Sequence, residues 1–271
     1  MKTYVIKDNS FTKGKELGYL IYYETSKKFY IEIKDGLTTD ELPILLSSFL
    51  KQGYRSINSY WSYLWVSDRI VPKDRQNIAS VLKAYKLDQY DEFGLLIANH
   101  GRCEQDDSYL EEKDSEEIFQ VLGPRLLTKI ESAIPLSDNN LLVSFYDGSI
   151  KKCDIRKIVG KDKKFVPIFN DEKMFRRIEV LPGGYELVFC NNLYITDFEL
   201  YSNGKDIGLN RDDFINIFKE EIINSKEGQE ILGCSRQNIN DLIKRQKLHP
   251  IKESEKNTLL LKSEILKRKW K

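Results

Sequence analysis

Near the end of the chain a single glycine, Gly233, separates two short amphipathic stretches, and neither is long enough to be a stable helix unless it packs on something. That narrows the folds open to the segment. Ser225 has the side chain of an N-cap and opens a stretch through Glu230, Ile231 and Leu232, while Gly233 stands where a helix ends in a left-handed residue. Ser235 is a second N-cap. After it Ile239, Leu242 and Ile243 fall at i, i+3 and i+4, leaving Arg236, Gln237, Asn240 and Lys244 on the other face. The spacing predicts two helices meeting at a tight turn. Leu248, Pro250 and Ile251 then lead into a polar turn at 253–257, and an apolar strand at 258–261 completes a hairpin. Ser263 caps a final helix over 264–269, with its cations toward the C-terminal end as the helix dipole favours.

Charge is distributed unevenly. Residues 225–271 hold twelve Lys and Arg against six Asp and Glu, so this end carries about +6. With a formal net charge of +1 for the whole chain, residues 1–224 carry about −5. Such asymmetry is a mark of a nucleic-acid-binding end, although a lysine-rich tail is also often only a solvated helical face. The residue types on the polar face add to the first reading. Arg pairs with guanine, and Gln or Asn with adenine, through two hydrogen bonds each in the major groove, so Arg236, Gln237 and Asn240 are suited to reading bases. Ser235, Lys244, Arg245, Lys247, Lys252 and Lys256 are suited to phosphate contacts that position the helix.

The run LGCSRQNINDLIKRQKL at 232–248 resembles the LGVSRQTVYRLIRRGKL pattern of excisionase-like and MerR-like helix-turn-helix domains, and the resemblance covers about 45 residues. It implies a support helix over 226–232, a recognition helix over 236–245, and a wing formed by the hairpin after Leu248, close to the phosphate backbone. Two residues depart from the pattern. Gln229 stands where a small Ala usually lets the two helices approach, and Gly228 weakens the support helix by about 1 kcal/mol relative to Ala.

From 129 to 203 short apolar runs alternate with turn signals, which predicts strands. Runs at 141–145 and 149–155 flank Asp147-Gly148, and runs at 178–181 and 185–189 flank Pro182-Gly183-Gly184, so two hairpins of a small antiparallel sheet are expected. The order LLVSFYDG, CDI, FVPIFNDEKMF and LYITDFELY resembles a small bacterial β-sheet domain of unknown function that recurs fused ahead of helix-turn-helix domains. Phe145, Asp147, Gly148, Asp154, Phe165, Phe175, Asp197 and Tyr201 carry that likeness, which implies architecture and no chemistry. Asp147, Asp154 and Asp197 are candidates for a carboxylate cluster, with turn and strand-end hydrogen bonding as the plainer explanation.

The first part of the chain reads as a separate mixed domain. Runs at 17–24 and 28–34 are aromatic and β-branched and suggest a two-stranded ribbon. Thr38 with Glu41 forms a capping box predicted to start a helix that ends near Gly53. Ile57, Tyr60, Trp61, Leu64 and Trp65 share a helical face that reads as core, with a stacking surface or dimer face as the sharper alternative. A further helix is expected over 74–85, and 100–110, HGRCEQDDSYL, is read as a loop. Gly123-Pro124 marks a break ahead of the middle region, and a helix over 211–223 is read as a linker or dimer-forming brace.

The cysteines Cys103, Cys153, Cys190 and Cys234 are isolated and only His100 and His249 could join them, so neither a disulfide framework nor a metal is expected. No phosphate loop, nucleophile elbow or paired-carboxylate motif is present, and an enzyme is not expected, nor a cofactor. No stretch approaches the roughly 20 apolar residues of a membrane span, and the start of the chain lacks an apolar signal core, so no membrane partner and a cytoplasmic location are expected.

These readings converge on an α+β chain of several domains: a mixed N-terminal domain over 1–124, a small antiparallel β-sheet domain over 125–205, and a linker helix with a winged helix-turn-helix over 206–271. The function expected is a bacterial or phage-like transcriptional regulator binding double-stranded DNA. It would act as a homodimer, since one helix-turn-helix makes few base contacts. The alternative is an antitoxin-like or phage-type inhibitor or interaction protein whose acidic N-terminal domains bind another macromolecule, a protein partner among the candidates, and whose helix-turn-helix autoregulates its gene.

Overall fold

The computed structural model describes every residue except Phe11, Asn191, Glu255, Lys256, Trp270 and Lys271, so the expected phosphate contact at Lys256 lies outside the described residues. The chain is mixed α+β with several small antiparallel sheets. It divides into two compact units, Met1–Asp147 with Lys151–Lys205 and Gly148–Ile150 with Asp206–Lys271.

A five-stranded antiparallel sheet begins the first unit, in the order Ser56–Ile57, Lys28–Ile33, Lys15–Tyr23, Lys2–Asp8, Ser108–Glu112. Alternation sends Tyr4, Ile6, Leu20, Tyr22, Phe29 and Ile31 to one face, where the helices Ile44–Lys51, Ser59–Ser67 and Glu92–Ala98 contribute Leu46, Trp65, Val66 and Leu96 to a common core. The other face buries Val5, Tyr19, Ile21 and Tyr30 against Ile118 and Leu122 of the Ser115–Leu126 helix and against Tyr185. A sheet covered on both sides explains why KELGYLIYY is buried almost throughout. Gly18 is required at its centre, because a Cβ there would stand 2.3 Å from the Glu32 carbonyl oxygen.

The two expected hairpins follow in the chain, the turn Gly148–Ile150 of the first belonging to the second unit. Ile130–Pro135 pairs with Asn140–Phe145, Gly148 takes φ 82° in the turn that follows, and Ser149–Asp154 is the next strand. Ile178–Val180 pairs with Glu186–Phe189 across Pro182–Gly184, and Glu186–Phe189 pairs in turn with Leu193–Thr196. Phe145, Ile155, Phe165, Phe175, Leu187, Phe189 and Leu200 form their shared core.

Several local expectations are corrected. The Thr38–Glu41 capping box forms, but it caps only the 3-10 turn Thr39–Glu41, because Pro43 starts a new helix, Ile44–Lys51. In the aromatic helix the buried side is Ser59, Ser62, Trp65 and Val66, while Tyr60 is 60% exposed and Trp61 and Tyr63 are also exposed. Ser62 faces inward because its Oγ accepts the Ile31 backbone N–H at 3.0 Å, a donor otherwise left open beside the short strand Ser56–Ile57. The helix expected over 74–85 covers only Ile78–Ala84. Gly123 and Pro124 lie inside the Ser115–Leu126 helix rather than at a break.

The second unit begins with the strand Lys205–Asn210, whose first residue belongs to the other unit, and the helix Arg211–Glu221, then a three-stranded antiparallel sheet in the order Ile222–Asn224, Thr258–Leu261, Lys252–Glu253. Between the strands lie the helices Ser225–Leu232 and Arg236–Lys244, and the helix Lys262–Lys269 follows the strand Thr258–Leu261. The helix expected over 211–223 therefore stops at Glu221. Ile222 and Ile223 pair instead with Leu261 and Leu260.

Candidate nucleic-acid interface

The helix Ser225–Leu232 is capped by Asn224, not by Ser225: the Asn224 side chain accepts the N–H groups of Lys226 and Glu227, and Glu227 returns a bond to the Asn224 N–H at 2.7 Å. Ser225 is the first helical residue, and its hydroxyl donates to the Thr258 carbonyl. Gly233 ends the helix at φ 64° and ψ 36°, the left-handed cap expected of it. Ser235 then caps Arg236–Lys244 by accepting the Asn238 N–H at 3.3 Å.

Both helices pack around one small core. Ile223, Ile239, Leu248, Leu260 and Ile265 are buried, with Ile231, Leu232, Cys234, Leu242 and Ile243 partly buried around them. Gly228, not Gln229, is the buried residue of the first helix; a Cβ on it would meet Leu260, Ile265 and Ile239 at 3.6–3.9 Å, ordinary contact. Gln229 stays at the edge and donates to the Ser225 carbonyl at 3.0 Å. Its bulk therefore does not enter the core between the helices.

With Ile239, Leu242 and Ile243 turned inward, Gln237 and Asn240 are exposed on the other side of the second helix, Arg236 is exposed as its first residue, and Ser235, Lys244, Arg245 and Lys247 are exposed at its ends. Lys252 is exposed on the hairpin. Arg236 also borders a cleft of about 280 Å³ with Lys226, Gln229, Asn257 and Thr258. A donor-rich, cationic surface results, with Asp241 as the one acid on the second helix. His249 lies apart from it, paired with Glu264 at 2.7 Å.

The three aspartates considered as a cluster are engaged separately. Asp147 accepts from the Tyr201 hydroxyl at 2.7 Å, Asp154 caps the helix Ile155–Val159, and Asp197 pairs with Lys129. Among the described residues no group of three or more His, Cys, Asp or Glu is placed to hold a metal ion. In the 100–110 loop, Asp106 pairs with Arg69, whose guanidinium lies 3.7 Å from the Trp65 ring centroid.

Sequence reasoning missed a buried ionic cluster in the first unit. Lys129, 1% exposed, donates to Ser56 Oγ at 2.9 Å and to Asp197 Oδ2 at 3.1 Å, and its ammonium lies 3.4 Å from Glu32 and 4.0 Å from the Tyr185 ring centroid. Arg125 Nη1 donates to Glu32 at 2.9 Å, and Ser56 Oγ donates to the same carboxylate at 2.8 Å. Burial pushes the Asp197 carboxyl up to about 6, against the pull of the Lys129 ammonium. Burial also raises Glu186, which accepts the Ser59 N–H at 3.2 Å. A cleft of about 200 Å³ lined by Tyr54, Arg55, Arg125, Thr128 and Phe198 reaches Asp197. The cluster joins strand, helix and loop within one unit, and its one available signal was Glu32, an acid inside the otherwise apolar FYIEI run.

No protein-family model, curated protein or solved structure matches this chain. Among the described residues no helix is long and apolar enough to cross a membrane.

Proposed function

We propose that the chain is a sequence-specific double-stranded-DNA-binding regulator of transcription that acts as a homodimer through its second unit, read as a winged helix-turn-helix. The observation that carries this is the face of the Arg236–Lys244 helix. Its apolar side is consumed by a local core, and its outward side presents Arg236, Gln237 and Asn240, three groups able to make paired hydrogen bonds to base edges. Lys244, Arg245, Lys247 and, on the hairpin, Lys252 supply cations at the margins, where phosphates flank a helix lying in the major groove. The fold around this helix is small and self-contained, as such a reader needs to be.

The test is a pair of substitutions titrated on matched and mismatched duplexes selected from the gene's upstream region. Arg236→Ala relaxes base preference, costing about 1–3 kcal/mol on the matched site alone, whereas Lys247→Ala weakens both duplexes alike. Equal effects of the two on both duplexes refute the assignment of the reading face.

A protein partner for the first unit is a second, compatible reading. Tyr60, Trp61 and Tyr63 are exposed on one of its helices, where aromatic side chains favour protein association over solvent. Immobilised full-length protein retaining the same partner from wild-type lysate, but not after Tyr60→Ser with Trp61→Ser, supports it; identical retention by both sinks it.

A further inference from the structure

Residues 151–164 hold seven Lys and Arg against two Asp, about +5, inside a stretch, 1–224, that carries about −5 overall. The rest of that stretch is therefore near −10. Most of these cations have no acid beside them. Among the described residues Lys152, Lys161, Lys163 and Lys164 form no ion pair, and neither does Lys205 further along the chain, although carboxylates are in excess elsewhere. A run of lysines within one segment is commonly a solvated face.

The fold adds convergence, which a solvated run does not explain. Lys152 stands on the strand Ser149–Asp154, Lys157 on the helix Ile155–Val159, and Lys205 just past the helix Asp197–Asn203, and all three line one cleft of about 480 Å³ in the first unit. Asn140, Asn203 and Asp154 share the lining. Three lysines against one aspartate leave it near +2. Lys157 is shared with Asp154 at 3.0 Å, but its side chain is 84% exposed, and a surface pair of this kind loosens at little cost. Lys152 and Lys205 have no such partner. Asn140 donates to the carbonyls of Ser137 and Asp138, and Asn203 to that of Glu199, so their own chain engages these amides. The donors left to a ligand are ammonium groups, which act as point charges and suit phosphate.

We infer that this cleft binds a compact polyphosphate: two or more phosphate groups joined in series, inorganic or as the tail of a nucleotide. Its volume falls within the roughly 300–1,000 Å³ of small-ligand sites. Most such sites are lined by apolar side chains; a lining of lysines, asparagines and an aspartate calls for a charged ligand instead. Cations drawn from three chain segments ring one recess, which matches dense charge on a small anion, whereas a duplex spreads its phosphates along a line. Lys161, Lys163 and Lys164, next in the chain, strengthen the field that draws an anion to an otherwise acidic body. This site lies apart from the DNA reading and does not depend on it.

The experiment is isothermal titration calorimetry of the full chain, free of divalent cations, with tripolyphosphate, ATP and AMP. Three proteins are compared: the wild type, Lys152→Gln with Lys205→Gln, and Lys51→Gln with Lys83→Gln, which removes the same charge from exposed lysines elsewhere in the first unit. Circular dichroism confirms that each is folded. The expected result is that the wild type binds tripolyphosphate and ATP at least tenfold more tightly than AMP. The cleft variant loses at least tenfold for both, and the control variant stays within twofold of the wild type. Equal affinity for tripolyphosphate and ATP makes the phosphate chain the whole ligand; a further tenfold for ATP makes it a nucleotide. Equal losses in the two variants overturn the inference, because net charge and not the cleft then attracts the anion. AMP bound as tightly as ATP, or no heat from tripolyphosphate, overturns it too. A cleft variant that binds tripolyphosphate like the wild type but duplex DNA tenfold more weakly turns the cleft into a DNA contact and sinks the small-ligand site.

Discussion

Replacing Lys129 with Met is the sharpest test of the first unit's architecture. Met has nearly the length of Lys and no charge, so the substitution removes the ammonium at the centre of the ionic cluster without leaving a large void. Glu32 keeps Arg125 at 2.9 Å and Ser56 at 2.8 Å, but Asp197 loses the cation 3.1 Å away. Removing one partner of a buried pair costs about 3–5 kcal/mol when the other stays charged. Asp197 need not stay charged. Its carboxyl lies at about 6 in the wild type against 3.8 ordinarily, so the folded form holds this proton more tightly than the unfolded chain does. Wild-type stability accordingly falls as pH rises from about 4 to about 6, by up to about 3 kcal/mol at roughly 1.4 kcal/mol per unit. Without Lys129 the carboxyl moves higher still and the fall continues above pH 6. The variant is therefore expected to lose about 1–2 kcal/mol at pH 5 and about 3–5 kcal/mol at pH 8. Urea denaturation followed by the fluorescence of Trp61 and Trp65, both in this unit, measures the difference. A loss below about 1 kcal/mol at pH 8, or an equal loss at both pH values, refutes the reasoning.

Two further predictions concern the second unit and are read by hydrogen exchange of its amides. Gly228→Ala places a methyl at ordinary contact distance from Leu260, Ile265 and Ile239 and removes a glycine from a helix interior, so it slows exchange across Ser225–Leu232 in line with a gain of about 0.5–1 kcal/mol. Faster exchange means the core there has no room for the methyl. Asn224→Ala removes the side-chain half of the capping box and speeds exchange about fivefold, a cost near 1 kcal/mol. No change means that Glu227 and the surrounding strands hold the helix start without it.

How much of this was legible in the sequence follows from where each signal resides. Gly233, Ser235 and the Asp147-Gly148 turn act through their own backbone geometry, and each does locally what its residue type implies. The apolar faces of the two short helices were readable for the same reason: a period of Ile239, Leu242 and Ile243 has few alternatives. Asn224 displaced Ser225 as cap by one position because the strand Ile222–Asn224 pairs with Thr258–Leu261, and that long-range pairing sets where the helix starts. The aromatic helix misled because aromatic spacing was weighed as burial, whereas the open N–H of Ile31 draws Ser62 inward and turns Tyr60 out. The ionic cluster was hidden because Glu32, Arg125, Lys129 and Asp197 are scattered over 166 positions of the chain and meet only after the sheet is covered on both faces. The polar side of the Arg236–Lys244 helix was legible; the end of the preceding helix at Glu221 was not, because Ile222 and Ile223 pair with Leu261 and Leu260 far along the chain.

The most direct test of the central claim is fluorescence anisotropy of full-length protein on duplexes tiling the gene's upstream DNA, repeated from 50 to 300 mM salt. With Lys244, Arg245, Lys247, Lys252 and Lys256 as the cations assigned to phosphates, the logarithm of affinity should fall with the logarithm of salt at a slope of roughly −4 to −5 per bound copy. One tile should bind far more tightly than the others. Binding that ignores salt, or no binding to any tile at 50 mM salt, contradicts the account.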